Sequence, residues 1–219
     1  MYDSFIIFYF EFQSSFMESE KYLAQLHEIQ NMMQKSSKFL SLSGLSGILA
    51  GVYALIGSGI VYLMREDFIY PIRFNSSEFL TVTVIAVLVM ILSFVTGIIL
   101  SLRKAKKKQE LIWNKISKLF LMSFMVPLIT GGLFAIILVS KREFGLVSPV
   151  TLLFYGISLV NASRYSFETL RNLGFIFIIL GLVNTLFVGY GLYFWMFGFG
   201  VCHIIYGAFM YLKYDYKKQ

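Results

Sequence analysis

The sequence predicts an all-α membrane protein: six transmembrane helices, both termini cytoplasmic, and a short amphipathic helix ahead of the first span. Three observations predict it. The chain is 58% hydrophobic and only 14% charged, against about 45–50% apolar and ~25% charged in a soluble domain; its mean hydropathy is +0.73. Several stretches long enough to cross a ~30 Å hydrocarbon layer carry no charge at all. The cations are unevenly shared between the loops that join those stretches, which is how orientation is encoded in a membrane chain.

The first span, 39–64, reads FLSLSGLSGILAGVYALIGSGIVYLM. Ser43, Gly47 and Gly51 recur at every fourth position, and Ala54 and Ser58 extend that face. Small residues let helix backbones approach closely in lipid, so this helix is expected to be the packing hub. The seam it offers fits a neighbour within the chain, with a second copy of the chain as the alternative partner.

Ahead of it, Phe5 to Phe10 (FIIFYF) is too short for a span or a signal-peptide core, and Asp3 stands where a cation would precede one. Residues 1–16 are read as an extension or a mis-assigned start, with Met17 a plausible initiator. Over 17–38, Tyr22, Leu26, Ile29 and Met33 recur at helical spacing opposite polar residues. This predicts a cytoplasmic or interfacial helix, in which His27 is solvated.

The remaining spans are placed at 79–102, 119–140, 144–163, 173–188 and 192–212. Pro127 inside the third removes one backbone hydrogen bond and predicts a kink. Ser148 and Pro149 read as N-cap and first helical residue of the fourth. No charged side chain occurs from Leu173 to Leu212. A single helix of that length would be about 60 Å long, twice the core thickness. A hairpin is therefore required, broken at Val188-Gly189-Tyr190-Gly191. Residues 213–219 form a basic cytoplasmic tail. With the N-terminus inside, 15 of the 19 Lys and Arg fall in inside segments, and only Arg65, Arg73, Lys141 and Arg142 fall outside.

The same residues exclude much. One cysteine, Cys202, and two histidines, His27 and His203, leave no cysteine cluster and no His-rich set for a metal. No cofactor is expected. Every acid and base lies in a loop, a tail or a span end, which argues against ion coupling through a charged mid-membrane group. No HExxH, GxSxG, phosphate loop or paired intramembrane carboxylates occur, so no catalytic residue is assigned. The run Arg103, Lys104, Lys106, Lys107 and Lys108 sits at a span end. It reads as an orientation signal and an anchor for anionic lipid rather than for nucleic acid.

The candidate intramembrane polar site is His203, Asn184 and Asn161. His203 lies near the middle of the sixth span. The structural reading gives it a hydrogen bond to a neighbouring helix through one ring nitrogen, with Asn184 or Asn161 as partner; the functional reading makes it a contact for a ligand or proton. Cys202 points ~100° away and is not a chelating companion. Asn161 and Asn184 are expected to bridge helices.

Four stretches carry a resemblance: MMQKSSKFLSLSGLSGILAGVYALIG (Met32 to Gly57), PVTLLFYGISLVNASRY (Pro149 to Tyr165), NLGFIFIILGLV (Asn172 to Val183) and FGFGVCHIIYGAFMYLKY (Phe197 to Tyr214). In these the chain resembles an uncharacterised family of six-span bacterial inner-membrane proteins. The resemblance covers nearly everything after Met17. It implies the six-span fold and a start near Met17, and it carries no activity.

The function expected is that of a multi-pass bacterial inner-membrane protein in a non-enzymatic regulatory or scaffolding role, presenting 17–38 and the 103–118 basic loop to a cytoplasmic protein partner. The alternative is a small transporter or channel for a neutral or apolar solute, built on Pro127, Gly131 and the three polar residues.

Overall fold

A computed structural model of the chain describes residues 43–64, 76–107 and 113–216. The described residues all belong to one compact unit within Phe39–Gln219. The expected amphipathic helix, the 1–16 extension, Lys108 and the last three residues of the tail lie outside the described residues.

Five α-helices come first: α1 Gly44–Leu63, α2 Ser76–Lys107, α3 Lys115–Ser140, α4 Val147–Ala162 and α5 Glu168–Leu186. Single 3-10 turns, Phe144–Leu146 and Ser163–Tyr165, flank α4. The sixth helical segment, α6, is Gly191–Asp215. It is α-helical over Gly191–Trp195 and His203–Met210 and widens to π-helix over Met196–Cys202 and Tyr211–Asp215. No strand occurs among the described residues. Six segments are long and apolar enough to cross a membrane, and the protein is a multi-pass membrane protein.

Local chemistry sets several boundaries differently from the sequence expectation. Helix α3 starts at Lys115 because Asn114 caps it: its Oδ1 accepts from the amides of Ile116 (3.0 Å) and Ser117 (2.8 Å), while Ser117 Oγ accepts from the Asn114 amide (2.9 Å). Helix α4 starts at Val147, so Ser148 is not its N-cap; the preceding 3-10 turn makes the entry instead. The 187–190 hairpin breaks where expected. Gly189 holds φ at 100°, a left-handed conformation that favours glycine.

The packing centre is α4, α5 and the inner face of α6, where Leu152, Leu159, Ala162, Leu170, Leu173, Phe177 and Cys202 form one buried cluster. Helices α4 and α5 meet through Gly156 and Gly174; a Cβ on Gly174 would stand 2.8 Å from the Gly156 carbonyl oxygen. Helix α3 packs on α4, with Gly131 against Phe154. On the other side α1 packs on α6, and α2 on α1. The expectation that α1 is the hub is thus corrected: α1 joins α2 to the centre, and the centre is built on α4. Helix α2 touches chiefly α1, and Leu80, Val84, Leu88, Ile91, Val95 and Ile98 are all exposed along it. A helix apolar on its open sides is matched to lipid tails rather than water.

Candidate functional site

The six-span fold places three separate polar contacts inside an apolar bundle, and each has one half on α4.

The first is His203, 7% exposed at the start of the second α-helical part of α6. Its Nε2 lies 2.7 Å from the Tyr155 hydroxyl of α4. Its Nδ1 lies 3.3 Å from the Gly198 carbonyl oxygen, one π turn back along α6. A carbonyl oxygen only accepts, so Nδ1 carries the proton and donates. Nε2 of that tautomer then accepts from the Tyr155 O–H. Both ring nitrogens are thereby used within the protein. Aromatic rings enclose the imidazole: Phe177 of α5 at 5.3 Å between centroids, Tyr155 at 5.5 Å and Phe199 at 5.9 Å. Phe177 is fully buried and packs edge-on to Tyr155 at 4.8 Å. The partner of His203 is therefore Tyr155 and not either asparagine.

The second contact is Asn184 on α5, which is fully buried. Its Nδ2 donates to Ser148 Oγ of α4 (2.8 Å), and Ser148 Oγ donates to the Gly191 carbonyl of α6 (2.9 Å). A hydroxyl that accepts from one helix and donates to another ties three helices together below the 187–190 hairpin. The sequence assigned Ser148 to a helix cap; its side chain is spent on this bridge instead.

The third is Asn161, near the C-terminal end of α4. Its Nδ2 donates to the Ser123 carbonyl of α3 (3.0 Å). Pro127 lies four residues beyond Ser123 inside α3 and has no amide to offer it. Asn161 therefore supplies the hydrogen bond that Pro127 withholds.

Ser148, Tyr155 and Asn161 succeed one another along α4 at intervals of roughly two turns, about 10 Å each at 1.5 Å per residue. The three sequence-predicted polar residues consequently do not meet. They stitch α4 to α3, α5 and α6 at three levels.

A fourth polar contact went unassigned in the sequence. Lys104 Nζ near the end of α2 pairs with Asp215 Oδ1 at the end of α6 (2.6 Å), with side chains 11% and 14% exposed. Asp215 Oδ2 also accepts from the Gly44 amide at the start of α1 (2.9 Å). The Lys104 ammonium lies 5.9 Å from the Phe167 ring centroid, and Phe167 packs on Tyr214 at 4.4 Å. The two ends of the bundle thus differ, and this one also carries exposed Arg103, Lys106 and Lys107. Of the run expected to anchor lipid, Lys104 is instead committed to Asp215.

The glycine face of α1 meets α6. A Cβ on Gly47 would stand 3.1 Å from Gly207 Cα, and one on Gly51 would stand 2.6 Å from the Gly200 carbonyl. Reciprocally, a Cβ on Gly207 would lie 2.7 Å from the Gly44 carbonyl. Ser43 precedes the helix, and Gly44 takes the place the spacing gave to Ser43.

Among the described residues no group of three or more His, Cys, Asp or Glu is placed to hold a metal ion. A comparison of the chain with protein-family models, curated proteins and solved structures finds no match in any of the three.

Proposed function

We propose that this protein is a non-enzymatic regulatory or scaffolding protein of the bacterial inner membrane, with its basic end in the cytoplasm and presented to a protein partner. One observation carries the reading: the hydrogen bonds that His203, Ser148, Asn184 and Asn161 make inside the spans join one helix to another. His203 uses both ring nitrogens, Ser148 bridges two helices, and Asn161 serves the backbone of α3. A transporter for a neutral solute needs polar groups that converge on a shared path. Three contacts strung along α4 serve cohesion better than passage.

The orientation rests on the distribution of Lys and Arg. The Asp215 contacts support the alternation of the spans, because they gather the start of α1, the end of α2 and the end of α6 at one end. The outward cations Arg103, Lys106 and Lys107 at that end suit anionic lipid, at ~1 kcal/mol per cation near the surface.

Cysteine labelling in intact cells and inverted vesicles tests the topology. Substituted cysteines at Lys107 and Lys217 are expected to react only from the cytoplasm, and those at Ser76, Arg142 and Tyr190 only from outside. Cytoplasmic labelling of Tyr190→Cys overturns it. The role is tested by a C-terminal tag and capture from solubilised membranes: a stoichiometric protein partner, lost when Arg103, Lys106 and Lys107 are changed to Gln, supports it. Solute uptake by reconstituted vesicles, abolished in well-folded His203→Gln, would replace it with the transporter reading.

A further inference from the structure

The sixth span differs from the other five in its backbone. Two π-helical segments, Met196–Cys202 and Tyr211–Asp215, bracket the eight-residue α-helical piece His203–Met210. π-Helix is rare and arises mostly as single-turn insertions, frequently at functional sites. Each insertion adds a residue to a turn, and a residue of α-helix is worth about 100° of rotation. The first π segment therefore decides which way the whole His203–Met210 piece faces.

Each π segment ends on a polar anchor. His203 follows the first and is held by Tyr155 and by the Gly198 carbonyl. Asp215 closes the second and is held by Lys104 and by the Gly44 amide. Between the anchors, the side turned to α1 is small: Gly207 sits against Gly44 and Gly47. Its neighbour in sequence is Ala208, so a one-residue turn would bring one methyl group to the place of Gly207 and exchange Ile204 for Ile205 beside Gly51. With a Cβ at Gly207 only 2.7 Å from the Gly44 carbonyl, α1 must move slightly away before the turn can occur. Asp215 controls that movement as well, because the same carboxylate holds the first amide of α1.

We propose that α6 is a two-register switch. The segment His203–Met210 turns as a unit between its two π segments, and the Tyr155–His203 and Lys104–Asp215 contacts together hold it in the register described. The Asp215 anchor is the latch, since it ties α6 to both α1 and α2 at the end of the bundle, whereas His203 is enclosed by aromatic rings.

The test is spin-label mobility on the full chain in lipid nanodiscs, in a Cys202→Ala background, with labels placed singly at Ile204→Cys and Ile205→Cys. Ile204 is half-buried against Gly51 and Ile205 is 62% exposed. Releasing the latch with Asp215→Asn is expected to restrain the 205 label, which takes the place of Ile204 beside Gly51, while the 204 label enters the buried place of His203 and gains no mobility. Lys104→Gln, which leaves the Gly44 amide its acceptor, is expected to do the same to a smaller extent. Tyr155→Phe, which frees the other anchor, is expected to raise amide exchange at Tyr211–Asp215 on the order of tenfold through the coupled segment. Labels that both loosen, or that both stay unchanged, overturn the switch. So does exchange confined to residues beside Tyr155. Should Asp215→Asn fail to fold, the Lys104→Gln labels and the Tyr155→Phe exchange decide alone.

Discussion

The two faces of α6 are held by opposite means. Toward α1 it presents Gly200 and Gly207, and backbone meets backbone. Toward α4 and α5 it presents Phe199, His203 and the Gly191 carbonyl, and the contact is made by rings and by hydrogen bonds to the Tyr155 and Ser148 hydroxyls. In lipid no hydrophobic force drives helices together, so close van der Waals packing and interhelical hydrogen bonds must do so. One helix here uses each of these on a different side. The glycine face tolerates no added volume but depends on no particular partner atom. The opposite face has room for an aromatic cluster but depends on particular hydroxyls, Tyr155 at His203 and Ser148 at Gly191.

That difference also decides what could be read in advance. The glycine face of α1 follows from periodicity within one helix, and Gly47 and Gly51 are found on it. Its counterpart, Gly200 and Gly207, was not paired with it, because the pairing depends on the π segment that sets the direction of Gly200. The six-span fold was legible for the same local reason: length, apolarity and the charge-free run that forces a hairpin at Gly189. The candidate site was legible only as a set of residues. His203, Asn184 and Asn161 are all engaged, but their partners Tyr155, Ser148 and the Ser123 carbonyl belong to other helices. A mid-span tyrosine hydroxyl was a signal available in the sequence, since a buried phenol seeks a partner. The carbonyl left open by Pro127 was another, because the four-residue rule names Ser123 outright. The Lys104–Asp215 pair gave no such signal, being a meeting of two chain regions more than a hundred residues apart.

The comparison breaks most visibly if glycine substitutions prove harmless. Gly207→Leu is expected to have the largest effect of the substitutions proposed, because the atoms nearest the new Cβ are backbone: Ile48 N, the Gly44 carbonyl and Gly47 C. Overpacking costs about 1–3 kcal/mol where side chains can adjust, and here they cannot. Loss of folded protein in detergent is expected, and Gly51→Leu should follow closely. Gly59→Leu and Gly132→Leu are the controls, since nothing lies within 4 Å of either Cβ; their thermal unfolding should match the parent. Equal melting of Gly207→Leu and Gly59→Leu would mean that α1 and α6 do not meet through this face.

On the opposite face the effect is smaller and depends on chemistry rather than volume. His203→Leu strands the Tyr155 hydroxyl away from water, at a cost of about 1–3 kcal/mol. His203→Gln keeps an acceptor for it and should retain most of the stability. Tyr155→Phe should resemble His203→Leu, and the double variant should cost less than the two singles added together. A strictly additive result would show that the two side chains do not share a bond.

The smallest effect sharpens the comparison furthest, because it concerns a polar contact that repairs a backbone. Asn161 donates to the Ser123 carbonyl, and Pro127 is the reason that carbonyl is available. Interhelical hydrogen bonds of this kind average about 0.6 kcal/mol in membranes, so Asn161→Ala alone should lower stability by roughly that amount. Pro127→Ala restores an amide four residues beyond Ser123 and closes the α3 ladder without help from α4. In that background the carbonyl no longer depends on Asn161, and Asn161→Ala should cost measurably less. A double-mutant cycle on unfolding free energy reads the difference directly, and the coupling should fall between Asn161 and Pro127 although their side chains form no bond. If Asn161→Ala costs the same with Pro127 present or absent, the amide is serving some group other than Ser123, and α3 and α4 are joined by packing alone.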